Sequence, residues 1–291
     1  MKTRVEPLDF VLGISVAFVW GLGIVFAKAA IVHFPPILLM AFRFTLTAAV
    51  LAKFAGFPKH HLIWIFWISV ISATIQYSLT FSGLKGLDAG SAALIVQLEV
   101  PFLVLIGAIF LGEKPGLRKW IGIGIAFLGV YLISGEPKIA QALWAVGFII
   151  GGGIAWAIGQ AMVRQIQDLS SQTVAAWVAI FACPQLFIMS AIFETGQIEA
   201  IKSAGWFVWA VVAYLGLIMT ALGYFMWYKL VQRNPVSAAA PFLLLLPVFA
   251  ILGGWLILGE TLTTQVLLGG GIILFGVGLI LTETTNTSQD H

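Results

Sequence analysis

Residues 91–115 read SAALIVQLEVPFLVLIGAIFLGEKP, and residues 237–262 read SAAAPFLLLLPVFAILGGWLILGETL. Both stretches open on small residues, carry a proline in mid-run and close on Leu-Gly-Glu. Ser91 corresponds to Ser237 and Pro101 to Pro247, and one extra residue in the second copy then brings Leu111-Gly112-Glu113 onto Leu258-Gly259-Glu260. Glycine-rich runs follow in both places, Gly122-Ile123-Gly124 and Gly269-Gly270-Gly271. Upstream, Trp20, Gly23 and Lys28 recur as Trp156, Gly159 and Arg164 at identical spacing. The chain is one unit written twice.

What that unit is follows from its solvent. Of 291 residues, 60% are hydrophobic and only 9% charged, with a mean hydropathy of +1.04, far from the mix that a water-soluble domain needs. Apolar runs separated by short polar breaks place helices near 8–33, 35–55, 61–82, 88–112, 117–134, 141–164, 171–193, 203–228, 236–258 and 263–282. Runs of this length cross a hydrocarbon core of roughly 30 Å at 1.5 Å per residue. The alternating ten-residue pattern of a membrane barrel is missing. The expected fold is all-α, a polytopic membrane protein of ten transmembrane helices. Five helices per repeat is an odd number, so the second repeat must insert upside down, which is the inverted-repeat plan of secondary transporters. The repeats are expected at 1–136 and 137–283, with a disordered polar tail at 284–291.

Charge placement supports the inversion. Lys2, Arg4, Lys53, Lys59, Lys114, Arg118, Lys119, Arg164, Lys229 and Arg233 fall on the side of the N-terminus, against Lys28, Lys85, Lys138 and Lys202 opposite. By the positive-inside rule both termini are expected in the cytoplasm. The first apolar run holds Asp9 and lacks a cleavage site, so it reads as a retained helix rather than a signal peptide. One cysteine, Cys183, excludes an internal disulfide. A pI near 9.0 comes from loop residues in ones to threes, without the cluster that nucleic acid would require.

Inside the membrane, polar and helix-breaking residues need a reason. Pro101 cannot donate to the carbonyl of Gln97, and Pro247 frees the carbonyl of Leu243 at the matching place. Broken helices at equivalent positions point to a transporter's midplane site, although proline also serves packing in transmembrane helices. Pro184, in helix 7, reads as a hinge or a static kink. A carboxylate such as Glu99 at mid-depth costs roughly 2.5 to 3.5 kcal/mol, so it must face inward, stay protonated or pair with a cation. Arg43, in the middle of helix 2, is the obvious cation. Glu99 is then a proton carrier, a clamp for a substrate amine, or half of a structural pair with Arg43. Gln97 and Glu99 point about 200° apart on a helix, so one of them is expected to do scaffold work.

Helix 3 carries Ser69, Ser72, Gln76, Thr80 and Gly83 as a polar stripe, and helix 8 carries Gly216, Thr220, Gly223 and Trp227 with Tyr224 beside it. Such stripes look inward, either to a cavity or to a neighbouring helix approached closely. Trp20, Trp156 and Trp177 lie deeper than the other tryptophans, and Trp20 and Trp156 are repeat mates with Gly23 and Gln160 one turn on. They would wall a cavity or pack the core. The chain has no Walker A loop, no His-Glu-x-x-His and no Gly-x-Ser-x-Gly, and its four histidines sit at loop or terminal positions. Neither a cofactor nor a metal is expected, and no enzymatic activity.

Ten helices from two repeats, each with the S-A-A…P…L-G-E…G-x-G pattern, resemble the EamA-type transporters of the drug/metabolite transporter superfamily over the whole chain. The resemblance implies a basket in which helices 1, 3, 4, 6, 8 and 9 surround a cavity and helices 5 and 10 support it. In detail the sequence is similar to bacterial members that export amino acids, aromatic and other hydrophobic or neutral ones, across the inner membrane. The implied partners are a small-molecule substrate and the lipid bilayer, with no nucleic acid, and the chain is read as a monomer rather than an obligate oligomer. The expected substrate site draws on Trp20, Gln76, Tyr77, Gln97, Glu99, Trp156, Gln160, Trp177 and Tyr224, with Pro101, Pro184 and Pro247 as helix breaks and Glu99 with Arg43 as the pair. A bound zwitterion would meet the freed Gln97 carbonyl and the Gln76 amide. A different metabolite or drug class on the same scaffold, or a channel, are the alternatives. The second repeat departs from the first in having Leu243 in place of Gln97 and no carboxylate matching Glu99.

Overall fold

A computed structural model describes residues 6–58, 60–110, 112–166, 168–234 and 239–282. Lys2, Arg4, Lys59, Leu111, Pro235, Ser237 and the tail 284–291 lie outside the described residues. Nine helices are long and apolar enough to cross a membrane, and a tenth apolar helix of 16 residues completes the set among the described residues. In chain order they are α1 Pro7–Ile31, α2 Pro36–Leu51, α3 Leu62–Gly86, α4 Ala89–Phe110, α5 Leu117–Ser134, α6 Leu143–Val163, α7 Ser171–Phe193, α8 206–233, α9 240–258 and α10 Thr264–Leu281. The ten expected helices are all present. Short helices Pro137–Ala140 and Gln197–Ser203 fill two of the loops.

The ends are built as the sequence motifs dictate. Pro7 and Pro36 sit in the first turns of α1 and α2, where a missing N–H costs nothing. Gly-Glu follows α4 and α9 alike: Gly112 and Gly259 both take φ of 67°, a left-handed turn that favours glycine. The following glutamate folds back, Glu113 N–H to Gly107 O at 3.2 Å and Glu260 N–H to Gly254 O at 3.0 Å.

Four of the transmembrane helices depart from regular α geometry. α4 is interrupted at Gln97 and Leu98, and α9 opens with a tight 3-10 stretch over 240–245 before turning α at Leu246. The third helix of each repeat contains a widened π stretch, Val70–Ile75 in α3 and Tyr214–Leu222 in α8. The irregularities of α3 and α4 recur in α8 and α9, and among the described residues a further π stretch, Gly254–Leu258 in α9, has no mate in α4. The recurrence is expected of a duplicated unit in which each copy answers to the same neighbours.

Helix pairs follow the pseudo-twofold relation. α5 and α10 pack through facing glycines: a Cβ on Gly129 would lie 2.6 Å from Gly269 O, and one on Gly122 2.6 Å from Gly276 O. In lipid, where burying apolar surface gives no drive, such backbone approach is what holds helices together. α3 packs on α6, and its mate α8 packs on α1.

Candidate functional site

The two interrupted helices meet. At the break in α4, Gln97 and Leu98 donate their N–H groups to Leu94 O and Ile95 O at 3.2 and 3.0 Å, three residues back. The Gln97 carbonyl that Pro101 cannot reach is taken by Val100 N–H at 3.2 Å, which tightens the turn. Leu243 O in α9 accepts the N–H of Leu246 and also the side-chain Nε2 of Gln97 at 3.0 Å. Gln97 is buried, and Pro101 and Pro247 are buried beside these breaks. The expected open carbonyls are therefore corrected. Both are occupied, one by a local 3-10 turn and one by a side chain from the opposite repeat. Gln97 thus braces the two repeats through its side-chain amide.

Arg43 and Glu99 do not pair. Arg43, 2% exposed, points from α2 into the gap between α3 and α8, where its Nε donates to Thr220 Oγ1 at 3.0 Å. Its guanidinium carbon lies 4.8 Å from the ring centre of Tyr77 and 5.9 Å from those of Phe44 and Phe81. Tyr77 stacks on Phe81 at 5.7 Å and meets Phe44 edge-on at 4.9 Å, so the three rings form one wall. Glu99 instead leaves α4 toward α6, where a Cβ on Gly153 would stand 3.5 Å from its Cγ. The two charges sit on helices that present them to different neighbours.

The π stretches carry polar joints. Gln185 of α7 accepts from Thr74 Oγ1 at 2.6 Å and Ser69 Oγ at 3.2 Å, and its Nε2 donates to Ser69 Oγ at 2.9 Å. Residues 69 and 74 are five apart, a spacing that an α-helix would splay and a π turn stacks. On the other side Thr220 Oγ1 donates to Leu215 O, also five residues back, at 2.7 Å. Thr47 Oγ1 of α2 donates to Gly216 O at 3.2 Å. Each repeat's second helix thus grips the π stretch of the other repeat's third helix. The sequence reading missed Gln185 and Thr74. A polar residue directly after Pro184 was the one available signal.

The remaining expected residues divide. Trp20 donates Nε1 to Met219 O at 2.9 Å and lies 5.4 Å from Tyr224 and 6.0 Å from Trp227, ring to ring. Tyr214 OH donates to Val19 O at 3.0 Å in the same joint. Gln76 is buried on α3, and its Oε1 has no hydrogen-bond donor among the described residues. The α3 stripe mostly meets α6 closely: a Cβ on Gly159 would strike Ser72, one on Gly152 would strike Thr80, and one on Gly83 would lie 2.7 Å from Ala145 O. It is a helix interface along most of its length. Trp156, half-buried on α6, packs against the main core, and Gln160 stands one turn on, half-buried. Trp177 is apart from all of these, donating Nε1 to Gly56 O at 2.9 Å near a helix end with Phe57 5.4 Å away. Burial depth along a helix cannot be read from sequence position when the helix overhangs its neighbours. Pro184 faces outward on an unbroken α7.

Charged groups gather at the two faces. On the face of the N-terminus, Arg164 pairs with Glu113, Arg233 with Asp9 at 2.6 Å and Glu6 at 2.8 Å, and His61 with Asp168 at 2.9 Å. The His61 ring holds the Asp168 carboxyl below the usual carboxylate range. On the opposite face, Lys28 Nζ donates to Leu84 O at 2.9 Å and Lys85 O at 3.1 Å. Glu260 receives the first N–H of α4, from Ala89, at 2.9 Å. Glu194 receives Ile37 N–H at 2.8 Å and Leu38 N–H at 3.0 Å, where α2 begins. Carboxylates at these helix starts meet both the unpaired donors and the positive end of the helix dipole. Burial pushes the Glu260 carboxyl up.

Two successive segments, 9–135 and 143–282, match the model of the EamA-like transporter family. The chain is 27% identical over 278 residues to a protein of Escherichia coli (strain K12) named "Probable amino-acid metabolite efflux pump", covering 92% of this chain and 93% of that one. It is 28% identical over 207 residues to the "Probable terminal-alkyne amino-acid exporter" of Streptantibioticus cattleyicolor, covering 69% and 67%. A solved crystal structure shares the fold with a TM-score of 0.62 at 17% identity, over 94% of this chain and 96% of that chain.

Proposed function

The chain belongs to the EamA-like transporter family, and from that premise we propose that it is a secondary transporter exporting amino acids, aromatic or other hydrophobic and neutral ones, or related small metabolites. It works by alternating access in the bacterial inner membrane, as a monomer with both termini in the cytoplasm. The observation that carries the substrate class is the near full-length likeness to a relative named as an amino-acid metabolite efflux pump. The geometry is compatible with it: two broken helices from opposite repeats meet, and an arginine with an aromatic wall is buried between α2, α3 and α8. Rigid-body rocking of one repeat against the other requires joints of this kind between repeats.

The test is flux through the purified chain in liposomes, with a panel of labelled amino acids and with or without a pH gradient. Saturable, competed uptake of a few neutral amino acids supports the reading. Absence of movement for every amino acid removes the substrate class, and flux that rises linearly with concentration removes the carrier mechanism.

A further inference from the structure

We propose that Arg43 is the anchor for a carboxylate on the transported molecule, so that the site selects compounds carrying a free carboxylate over their neutral or cationic counterparts. This deepens the amino-acid reading above and rests on it.

The inference starts from an incomplete coordination shell. Arg43 is the eighth of 16 residues in α2 and 2% exposed, so its side chain is almost wholly enclosed. Guanidinium carries five N–H donors and stays protonated under all ordinary conditions. Here Nε is satisfied by Thr220 Oγ1 at 3.0 Å, while the only partner of Nη1 among the described residues is the Met40 sulfur at 3.9 Å. Nη2 has no hydrogen-bond acceptor among the described residues, and none of their carboxylates lies within ion-pair distance. Thr220 is not an anionic substitute, because its own hydroxyl proton goes to Leu215 O. The partners found are a hydroxyl, a thioether and three ring faces, all neutral.

A buried cation without an anion is costly, and neutral ring faces offset only part of that cost. The side chain is nonetheless pinned on two sides, by Thr220 at Nε and by Tyr77 against the plane. That leaves the Nη1–Nη2 edge as an oriented fork, the geometry that receives both oxygens of a carboxylate. A packing role alone would be served by a neutral residue at lower cost. Glu99, which could have neutralised it, faces α6 instead. The position also matters for mechanism. Arg43 is bonded to the π stretch of α8 and stacked on the helix following the π stretch of α3, so an anion seated on it touches elements of both repeats.

Three probes of common shape separate the possibilities: phenylalanine, phenylalaninamide, and 3-phenylpropionate, which keeps the carboxylate and lacks the amine. Binding to the purified full chain is read by intrinsic tryptophan fluorescence, for wild type, Arg43→Lys, Arg43→Gln and the control Arg118→Gln at the exposed start of α5. The expected result is that wild type and Arg118→Gln prefer the acid to the amide by at least about tenfold, the scale of one charge-assisted bidentate contact. Arg43→Gln loses that preference, and Arg43→Lys keeps a reduced one. A merely structural Arg43 would weaken all probes together and leave the acid-to-amide ratio unchanged, which overturns the proposal. So does a wild type that binds acid and amide alike, or neither. If Arg43→Gln fails to fold, the ratio in Arg43→Lys decides by the same criterion. Binding of 3-phenylpropionate but of no amino acid, with Arg43 dependence, keeps the anchor and discards the amino-acid reading.

Discussion

Gln97 and Leu243 hold corresponding places in the two repeats, and they bond to each other: Gln97 Nε2 donates to Leu243 O across 3.0 Å. Repeat mates can touch only close to the pseudo-twofold axis, as self-paired residues do at any twofold contact. The departure of the second repeat, leucine for glutamine, is therefore no loss. On the axis one amide suffices, since it reaches the carbonyl of its own counterpart.

Replacing Gln97 by Leu removes that brace and leaves Leu243 O to the Leu246 N–H alone. A neutral intramembrane hydrogen bond contributes about 0.6 to 1.7 kcal/mol, so a modest fall in melting temperature in detergent is expected. Transport should fall further than stability, because the bond joins the two repeats at the axis about which the proposed rocking would turn. An unaltered melting curve together with normal flux would show that the bond is not made in the working protein.

Gln185→Leu strips Thr74 of its acceptor, while Ser69 keeps Phe66 O at 2.7 Å. Thr74 is buried, so its hydroxyl loses its partner without gaining water, at a cost of about 1 to 3 kcal/mol. Gln185→Glu keeps the acceptors and is expected to lie between the variant and wild type. The check is thermal unfolding of all three forms in one detergent; equal midpoints would exclude the joint.

Gly129→Leu places a side chain against Gly269 O and Ile273 of α10, where even a Cβ would lie 2.6 Å from the oxygen. Overpacking of this kind costs about 1 to 3 kcal/mol, or separates α5 from α10. The fraction of monodisperse protein after solubilisation is expected to drop sharply. Gly124→Leu, where nothing stands within 4 Å of the added Cβ, is the contrasting control.

Glu260 links stability to pH. Its carboxyl is pushed above the usual range by burial, so the folded chain binds this proton more readily than the unfolded chain. The contribution to stability is present below the unfolded carboxylate value of about 4.3 and is lost as pH rises through the raised folded value. Melting temperatures of wild type and Glu260→Gln, compared from pH 5 to 8, should converge toward the acid end, with wild type losing ground as pH rises. Parallel curves would rule out titration of Glu260 in that window.

Most of the architecture was legible because its signals are local. Hydropathy counts apolar residues along one segment, proline and glycine end helices by their own φ preferences, and an odd repeat forces inversion by counting alone. Leu-Gly-Glu is the clearest instance, since Gly112 and Gly259 adopt the left-handed turn in both copies. The site was less legible. Arg43 and Glu99 are both single charges in apolar runs, and sequence cannot say toward which neighbour each points. Gln76 and Thr80 read as a polar stripe correctly, yet the glycines of α6 that receive the stripe lie far along the chain.

By itself, then, the sequence determined ten helices, their duplication and their opposed orientation, since each follows from periodicity, composition and breaks within one stretch of chain. Only the tertiary structure decided that α3 and α8 widen to π geometry, that Gln97 and Leu243 join across the repeats, and that Arg43 meets Thr220 rather than Glu99. These depend on partners more than a hundred residues away. In a bilayer, without water to satisfy it, each polar group takes the partner that helix packing brings within reach.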